Sequence, residues 1–185
     1  MPSPAIDFLM REHRAIEQVL TALDGCAQAL ERGAAVERPV FSDFAEFFAS
    51  FADKRHHAKE EAQLFVRMEA CGMPAEEGPI AVMLAEHAEG REHVAALRRI
   101  GTGEGELTAA ERQEAIDHAR AFVPLLREHI MKEDEILYPM AENLLPRTAL
   151  HEMAAAFETL DAEATGGGSD RDAALARSLI ARFGG

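Results

Sequence analysis

The sequence predicts an all-α protein: an antiparallel four-helix bundle over residues 1–145, followed by a helical extension over residues 146–185 that packs on the bundle. Two observations predict this class. Apolar residues recur at intervals of three and four along the chain, and no segment alternates as a strand would. Stretches rich in glycine and proline separate four such periodic segments, as expected of bundle helices joined by short loops.

The first helix begins at a capping serine, Ser3, with Pro4 at its first position. Gly33 ends it. Its inward stripe comprises Leu9, His13, Ile16, Leu20, Leu23, Ala27 and Leu30. A histidine therefore stands among the apolar residues of the predicted core.

The second helix starts within residues 39–42, runs to about Gly72 and contains two adjacent histidines. One possible inward stripe is Phe41, Phe44, Phe48, Ala52, His56, Glu60, Leu64 and Met68. The competing stripe is polar and comprises Glu46, Ser50, Asp53, His57 and Glu61. We therefore expect His56 and Glu60 to point inward. The residues expected to face solvent, or to support the inward pair, are His57, Lys59 and Glu61.

The third helix starts at Pro79, after a turn rich in helix breakers. Its stripe is Ile80, Met83, His87, Gly90, Val94 and Leu97. A glycine in mid-helix costs about 1 kcal/mol relative to alanine. Close approach of a neighbouring helix, or of a small ligand one turn from His87, would explain Gly90.

The fourth helix follows a glycine linker at residues 101–105 and opens with the capping box Thr108-x-x-Glu111. Its stripe is Phe122, either Leu125 or Leu126, His129, Glu133, Ile136, Met140 and Leu144. Pro139 lies within this run, so we expect a kink or an end of the helix there. Beyond Pro146 the sequence predicts a helix to about residue 162, a linker at residues 166–168 and an amphipathic helix over residues 170–182.

Histidines and glutamates on these stripes form a repeated pattern. In each half of the chain a histidine and a glutamate stand four residues apart, on one helix face and within about 6 Å of rise. Another histidine precedes that pair, by 43 residues in the first half and by 42 in the second. Two halves with three ligands each indicate a two-metal site. The candidate ligands are His13, His56, Glu60, His87, His129 and Glu133.

A metal centre gives a physical reason for this pattern. Burying a carboxylate in a bundle core costs several kcal/mol unless its charge is compensated. Two divalent or trivalent ions supply that compensation, and they require the neutral imidazoles and ionised carboxylates offered here. Metal ions in such paired sites are about 3.5 Å apart.

The composition bounds the class of protein. A chain of 185 residues can bury the core of one domain, and two cysteines are too few for a disulfide framework. Charged residues interrupt any signal-peptide core near the start, and no apolar run approaches the roughly 20 residues of a membrane span. We therefore expect a cytoplasmic protein that does not bind membranes. A formal charge of −14 argues against nucleic acid as a partner.

Over roughly residues 9–140 the chain resembles the haemerythrin-like HHE cation-binding family. The resemblance implies the four-histidine, two-glutamate di-iron variant, with two iron ions (Fe²⁺ or Fe³⁺) each held by two histidines. Glu60 and Glu133 would bridge both ions beside an oxo or hydroxo group, and zinc or manganese is an alternative occupant. The motifs that carry the resemblance are Glu12-His13, Glu86-His87 and the HxxxEExxxF-like runs from His56 and His129.

The chain departs from oxygen-carrying haemerythrins at one position. Those proteins have a further histidine one turn after the first on the third helix, where this chain has Arg91. His93 does not substitute for it, because six residues turn a side chain by about 240°. The pattern is closer to the di-iron proteins of iron–sulfur repair, and it implies open positions on both irons.

The resemblance therefore implies a non-haem di-iron protein that senses or handles O₂, NO or peroxide, with that small molecule as its partner. Iron–sulfur cluster repair or peroxide consumption is one alternative, and a structural or storage site for zinc or manganese is another. The sequence leaves enzymatic turnover and oligomeric state open. Residues expected to lie in the core or on the surface without a role at the metals are Cys26, Cys71, His93, His118 and His151. Two places are open for Tyr138: near the site, because it follows Glu133, or in the core, which is the more frequent outcome for an aromatic residue.

Overall fold

The computed structural model describes residues 2–164 and 168–185, and every regular element in those ranges is a helix. The six helices are α1 (Pro4–Glu31), α2 (residues 39–70), α3 (Gly78–Gly101), α4 (residues 109–144), α5 (Arg147–Ala164) and α6 (Gly168–Phe183). The predicted all-α class is confirmed. Two residues of the expected glycine linker, Gly166 and Gly167, lie outside the described ranges.

Helices α1 to α4 form the bundle: α1 packs against α4, α2 against α3, and α3 against α4. Helix α5 packs on α1, and α6 packs on both α1 and α2. Within the described ranges, none of these helices is both long and apolar enough to cross a membrane.

The predicted helix starts are present. The Ser3 side chain accepts a hydrogen bond from the backbone N–H of Ile6 at 3.5 Å. Thr108 and Glu111 form both bonds of the capping box. Gly33, just past α1, has a φ of 79°, a left-handed conformation that glycine adopts without strain.

Two bundle helices contain π-helical turns. In α2 the segments Phe48–His57 and Glu60–Leu64 are π-helical. In α4 the segment Glu133–Leu137 is π-helical. Bonding from residue i to i+5 puts more residues into each turn than an α-helix has. The predicted inward residues of α2 in these segments remain buried, whereas Ile136 in the π-helical turn of α4, which was expected to face inward, is 52% exposed.

Pro139 does not end α4, contrary to one of the two expectations for it. The helix continues to Leu144, and its last α-helical segment is Tyr138–Leu144. Proline stands in the first turn of that segment, directly after the π-helical turn, where a missing N–H and a fixed φ are tolerated.

The apolar core is divided into two clusters. One contains Leu20, Phe44, Phe48, Phe122 and Ile130. The other contains Leu9, Leu64, Ile80, Tyr138 and, from α5, Phe157. On α1, α2 and α3 the candidate ligands fall between the residues of the two clusters, as His13 does between Leu9 and Ile16, and on α4 Glu133 falls between Ile130 and Leu137. The core thus has a polar layer across its middle.

Arg38 joins the loops at one end of the bundle. Its side chain is 7% exposed and donates to the backbone carbonyls of Ile100 (2.8 Å), Gly105 (2.9 Å) and Glu106 (2.9 Å). It also contacts the Glu111 carboxylate at 2.8 Å. One buried cation thus satisfies three carbonyls and holds the start of α4 beside the start of α2.

We predict that Arg38→Met lowers the free energy of unfolding by about 3 kcal/mol, because it leaves several buried acceptors without a donor. The matched control is Arg32→Met, at an exposed arginine, for which we expect a change below about 0.5 kcal/mol. Urea denaturation of the two variants measures this difference, and equal stabilities would contradict the structural role given to Arg38.

Candidate metal centre

All six predicted ligands lie in the polar layer, and each is at most 1% exposed. Together with His57, the six residues form two groups of ligands. Within each group, the ligand atoms all lie within 4.8 Å of one another. The three-histidine group is His57, Glu60, His87 and His129. The two-histidine group is His13, His56, Glu60 and Glu133. Glu60 belongs to both, so the two groups are adjacent.

Each glutamate faces one histidine from each half of the chain. Oε2 of Glu60 lies 3.7 Å from Nε2 of His56 and 3.6 Å from Nε2 of His87. Oε2 of Glu133 lies 3.2 Å from Nε2 of both His13 and His129. Each of the two carboxylates therefore lies between imidazoles of opposite halves of the chain.

The prediction that His57 lies on a polar face is wrong. His57 is 6% exposed, and its ring stacks on that of His87 with 3.7 Å between centroids. It ends the π-helical segment Phe48–His57, whose wider turn brings His56 and His57 to the interior together. Lys59, which was expected to face solvent or to play a supporting role, is also buried, at 1% exposure.

A ring of carboxylates orients the histidines from outside. In four of the histidines, Nδ1 lies within hydrogen-bond distance of a carboxylate oxygen. In the fifth, His57, Nδ1 lies 3.6 Å from Oδ1 of Asp53. The four pairs are His13–Asp134 (2.8 Å), His56–Glu12 (3.0 Å), His87–Glu61 (2.8 Å) and His129–Glu86 (3.0 Å). A carboxylate on Nδ1 favours the tautomer that carries its proton there and leaves Nε2 as a metal ligand.

These outer carboxylates follow the same repeat as the ligands. The acid before the first histidine of each half, Glu12 or Glu86, orients the second histidine of that half. The acid after the glutamate of each half orients the first histidine of the other half. The sequence indicated a possible supporting role for Glu61, but it did not predict which histidine each of these acids contacts.

A lysine completes two of the four outer pairs, one in each half of the chain. Nζ of Lys59 lies 2.5 Å from Oε1 of Glu12 and 2.8 Å from Oδ1 of Asp161 on α5. Lys132 pairs in the same way with Glu86. Each lysine stands three residues after the second histidine of its half, a spacing that is visible in the sequence.

The two groups differ in the aromatic residue beside them. The Tyr138 hydroxyl donates to Oε1 of Glu60 at 2.6 Å and lies 3.2 Å from Nε2 of His13, on whose ring Tyr138 stacks. Phe65, its counterpart in the repeat, stacks on His87 with 6.1 Å between centroids. Tyr138 is the buried aromatic residue that was expected, but its hydroxyl faces the ligands.

Burial and charge set the protonation of the ligands. Burial lowers the pKa of His56 to about 4 and that of His57 to about 3, so both are neutral at pH 7. Burial, and then the charge of Glu133, raise the pKa of Glu60 well above its ordinary value. Burial also opposes the charged form of His129, but Glu133 and Glu86 outweigh it and raise that pKa to about 9.

Several ligand atoms have no hydrogen-bond partner among the described residues. They are Nε2 of His56, Oε2 of Glu60 and both carboxylate oxygens of Glu133. Buried polar atoms are nearly always paired, so a cluster of unpaired nitrogens and carboxylate oxygens indicates a missing cation. Imidazole and carboxylate donors suit first-row transition-metal ions, and the residues present therefore fit a pair of such ions.

Arg91 lies outside both groups. Its guanidinium donates to Asp53 at 2.8 Å and to Glu61 at 2.7 Å. Glu61 in turn contacts His87, and the His87 imidazole, followed by Arg91, lowers the pKa of Glu61 to about 2. Arg91 thus stabilises Glu61, the carboxylate that orients His87. The third histidine of the three-histidine group is His57, which comes from α2 and not from α3.

The sequence profile of the Hemerythrin HHE cation binding domain matches residues 5–141. Three curated relatives, one from Mycobacterium bovis and two from strains of Mycobacterium tuberculosis, are described as uncharacterized proteins. Each is 21% identical to this chain over 158 residues, which are 85% of this chain and 61% of the relative. The chain thus spans about three fifths of the length of these relatives. No solved structure matches it.

The two outer lysine pairs generate a prediction for metal-free protein. Lys59 is 1% exposed and Lys132 is 29% exposed, so loss of its glutamate partner costs more at Lys59, although Asp161 still pairs with it, than at the partly solvated Lys132. We expect Glu12→Ala to lower the free energy of unfolding by about 3 kcal/mol. For Glu86→Ala, the matched control in the other half, we expect about 1 kcal/mol. Urea denaturation after chelator treatment measures both, and a larger loss in Glu86→Ala would contradict this reasoning.

Proposed function

The chain belongs to the haemerythrin HHE cation-binding family, and on that premise we propose that it is a non-haem di-iron protein that handles O₂, NO or peroxide. One observation carries the proposal: two buried ligand groups share Glu60, and several of their ligand atoms have no hydrogen-bond partner in the part of the chain that the structure describes. His57, His87 and His129 would hold one ion. His13, His56 and Glu133 would hold the other, with Glu60 between them.

Iron is the proposed metal because the donor set combines imidazoles with carboxylates in a helical bundle, as in known di-iron sites. Bound iron would supply the electrons and the open coordination positions that O₂, NO or peroxide chemistry requires. Zinc and manganese accept similar ligands, so a site for their storage is the principal alternative.

The unequal surroundings of the two groups favour a reactive site over storage. The three-histidine group has Phe65 beside it and carries one carboxylate. The two-histidine group has two carboxylates and the Tyr138 phenol. Storage requires no such difference, whereas a reaction at a metal pair often binds its small molecule on one side.

Tyr138 is the proton donor that the chain places inside the site. Its hydroxyl is fully buried and hydrogen-bonded to Glu60, and burial, followed by the charge of Glu133, raises its pKa well above the ordinary value. The phenol therefore keeps its proton at neutral pH. It can donate that proton to a group that gains negative charge beside Glu60, such as reduced peroxide.

His57 distinguishes this centre from a four-histidine centre, and we predict that it is a ligand. Metal-loaded protein should retain two ions per chain after dialysis against a weak chelator, and His57→Leu should retain one. His93→Leu is the control, since His93 contacts His118 outside both groups and the variant should retain two. Glu60→Ala, which removes a ligand from both groups, should retain fewer than one.

Elemental analysis with protein quantification gives these ratios. If His57→Leu keeps two ions, His57 is not a ligand and the centre has the four histidines first predicted. If unsubstituted protein never holds more than one ion, the two-metal proposal fails.

The reaction class is tested by absorption spectra. We predict that azide, and separately NO, change the near-ultraviolet and visible absorption of iron-loaded protein, because the proposed ligands would leave an open position on at least one metal. Zinc-loaded protein is the control, since zinc is spectroscopically silent. An iron spectrum unaffected by both molecules would contradict small-molecule handling. Zinc or manganese in protein isolated from iron-replete cells would favour storage, and steady peroxide consumption would favour the catalytic alternative.

A further inference from the structure

A cavity of about 260 Å³ adjoins the three-histidine group. Its inner end is formed by His57, His87 and His129, and its walls include Phe48, Phe122 and Leu126. These residues are all buried, whereas Lys54, Arg91 and Arg98, which also line the cavity, are exposed. The cavity therefore runs from the protein surface to one side of the proposed metal pair.

The cavity is much larger than a diatomic ligand requires. A water molecule, similar in size to O₂ or NO, accounts for about 30 Å³ of liquid, and a cavity of about 150 Å³ lined by apolar side chains binds benzene. At about 260 Å³, this cavity has room for a ring with a substituent. Its phenyl and leucine walls offer such a molecule apolar contacts.

Small residues keep this space open. Gly90 lines the cavity in the middle of α3, and a β-carbon added there would lie 3.3 Å from Cε2 of Phe122. Ala49 and Ala52 line it from α2, and Ala95 lines it from α3. Larger apolar residues at these positions would fill the space with side chains. Both explanations that the sequence suggested for Gly90 therefore apply: the side chain of Phe122 is a close neighbour, and the missing side chain leaves room for a ligand.

We propose that this cavity binds an apolar organic molecule, about the size of a substituted benzene ring, against the imidazoles of the three-histidine group. The significance of the ligand rests on the proposed function, since it would lie beside the metal pair that handles O₂, NO or peroxide. The physical fit rests on the cavity alone. Binding can therefore be measured without any reaction.

Toluene is the probe, and zinc-loaded full-length protein with labelled methyl groups is the sample. We expect saturable shifts in the NMR signals of the Val94 and Leu126 methyl groups, which line the cavity. Ala49→Leu and Ala95→Leu place added bulk in the cavity from two helices. We expect each to weaken toluene binding at least about tenfold. Two variants are used so that a folding defect in one leaves the other to decide.

The matched control is Ala88→Leu, which adds the same side chain at an exposed position of α3 that does not line the cavity. It should bind toluene as the unsubstituted protein does. Absence of saturable shifts, or equal affinity in all variants, would overturn the proposal and leave the cavity as a passage for diatomic molecules.

Repeating the titration on metal-free protein, with metal content measured on every sample, separates the two proposals. Toluene binding in protein that never holds two ions would refute the di-iron function and leave the cavity as an organic-ligand site. Two ions without toluene binding would refute only the cavity proposal.

Discussion

The structure depends on the burial of two carboxylates, Glu60 and Glu133, in the middle of a helical bundle. Neither side chain is exposed, and oxygens of both lack a hydrogen-bond partner among the described residues. Such burial is strongly unfavourable unless cations or protons compensate the charge. In the absence of metal, the raised pKa values of His13 and His129 allow protons to offset part of it. The polar layer that divides the core holds this charge, and the apolar clusters on either side exclude water from the layer.

The same constraint explains the outer ring of carboxylates and lysines. A metal ligand is effective only when its ring is oriented, and each orienting carboxylate needs a partner in turn. Glu12 joins His56 to Lys59, and Lys59 reaches Asp161 on α5. The helical extension thus helps to support the ligand His56, although nothing in the sequence of the extension predicts this role. Its contribution to this ligand lies in packing and in the Asp161 carboxylate, and among its described residues none belongs to either ligand group.

Sequence reasoning predicted the fold class and the helix starts, because apolar periodicity and capping residues are local signals. It also brought together six residues that the structure places in one layer. It failed at His57, since an α-helical stripe assumes 3.6 residues per turn and α2 has a wider π-helical turn at that point. The partners of the orienting acids were not predicted for another reason: each acid contacts a histidine on a different helix, and only the packing of helices reveals such a pair.

The two halves of the chain repeat one design, so their differences carry the most information about function. Where the first half has His57, the second has Ile130, and where the second has Tyr138, the first has Phe65. The first difference adds an imidazole on the side where the cavity begins. The second adds a buried hydroxyl on the opposite group, hydrogen-bonded to the glutamate that both groups share. A ligand entering through the cavity would therefore meet the three-histidine side, while the proton of Tyr138 is held on the other side of Glu60. Two nearly symmetric ligand sets become a directional site through these two substitutions.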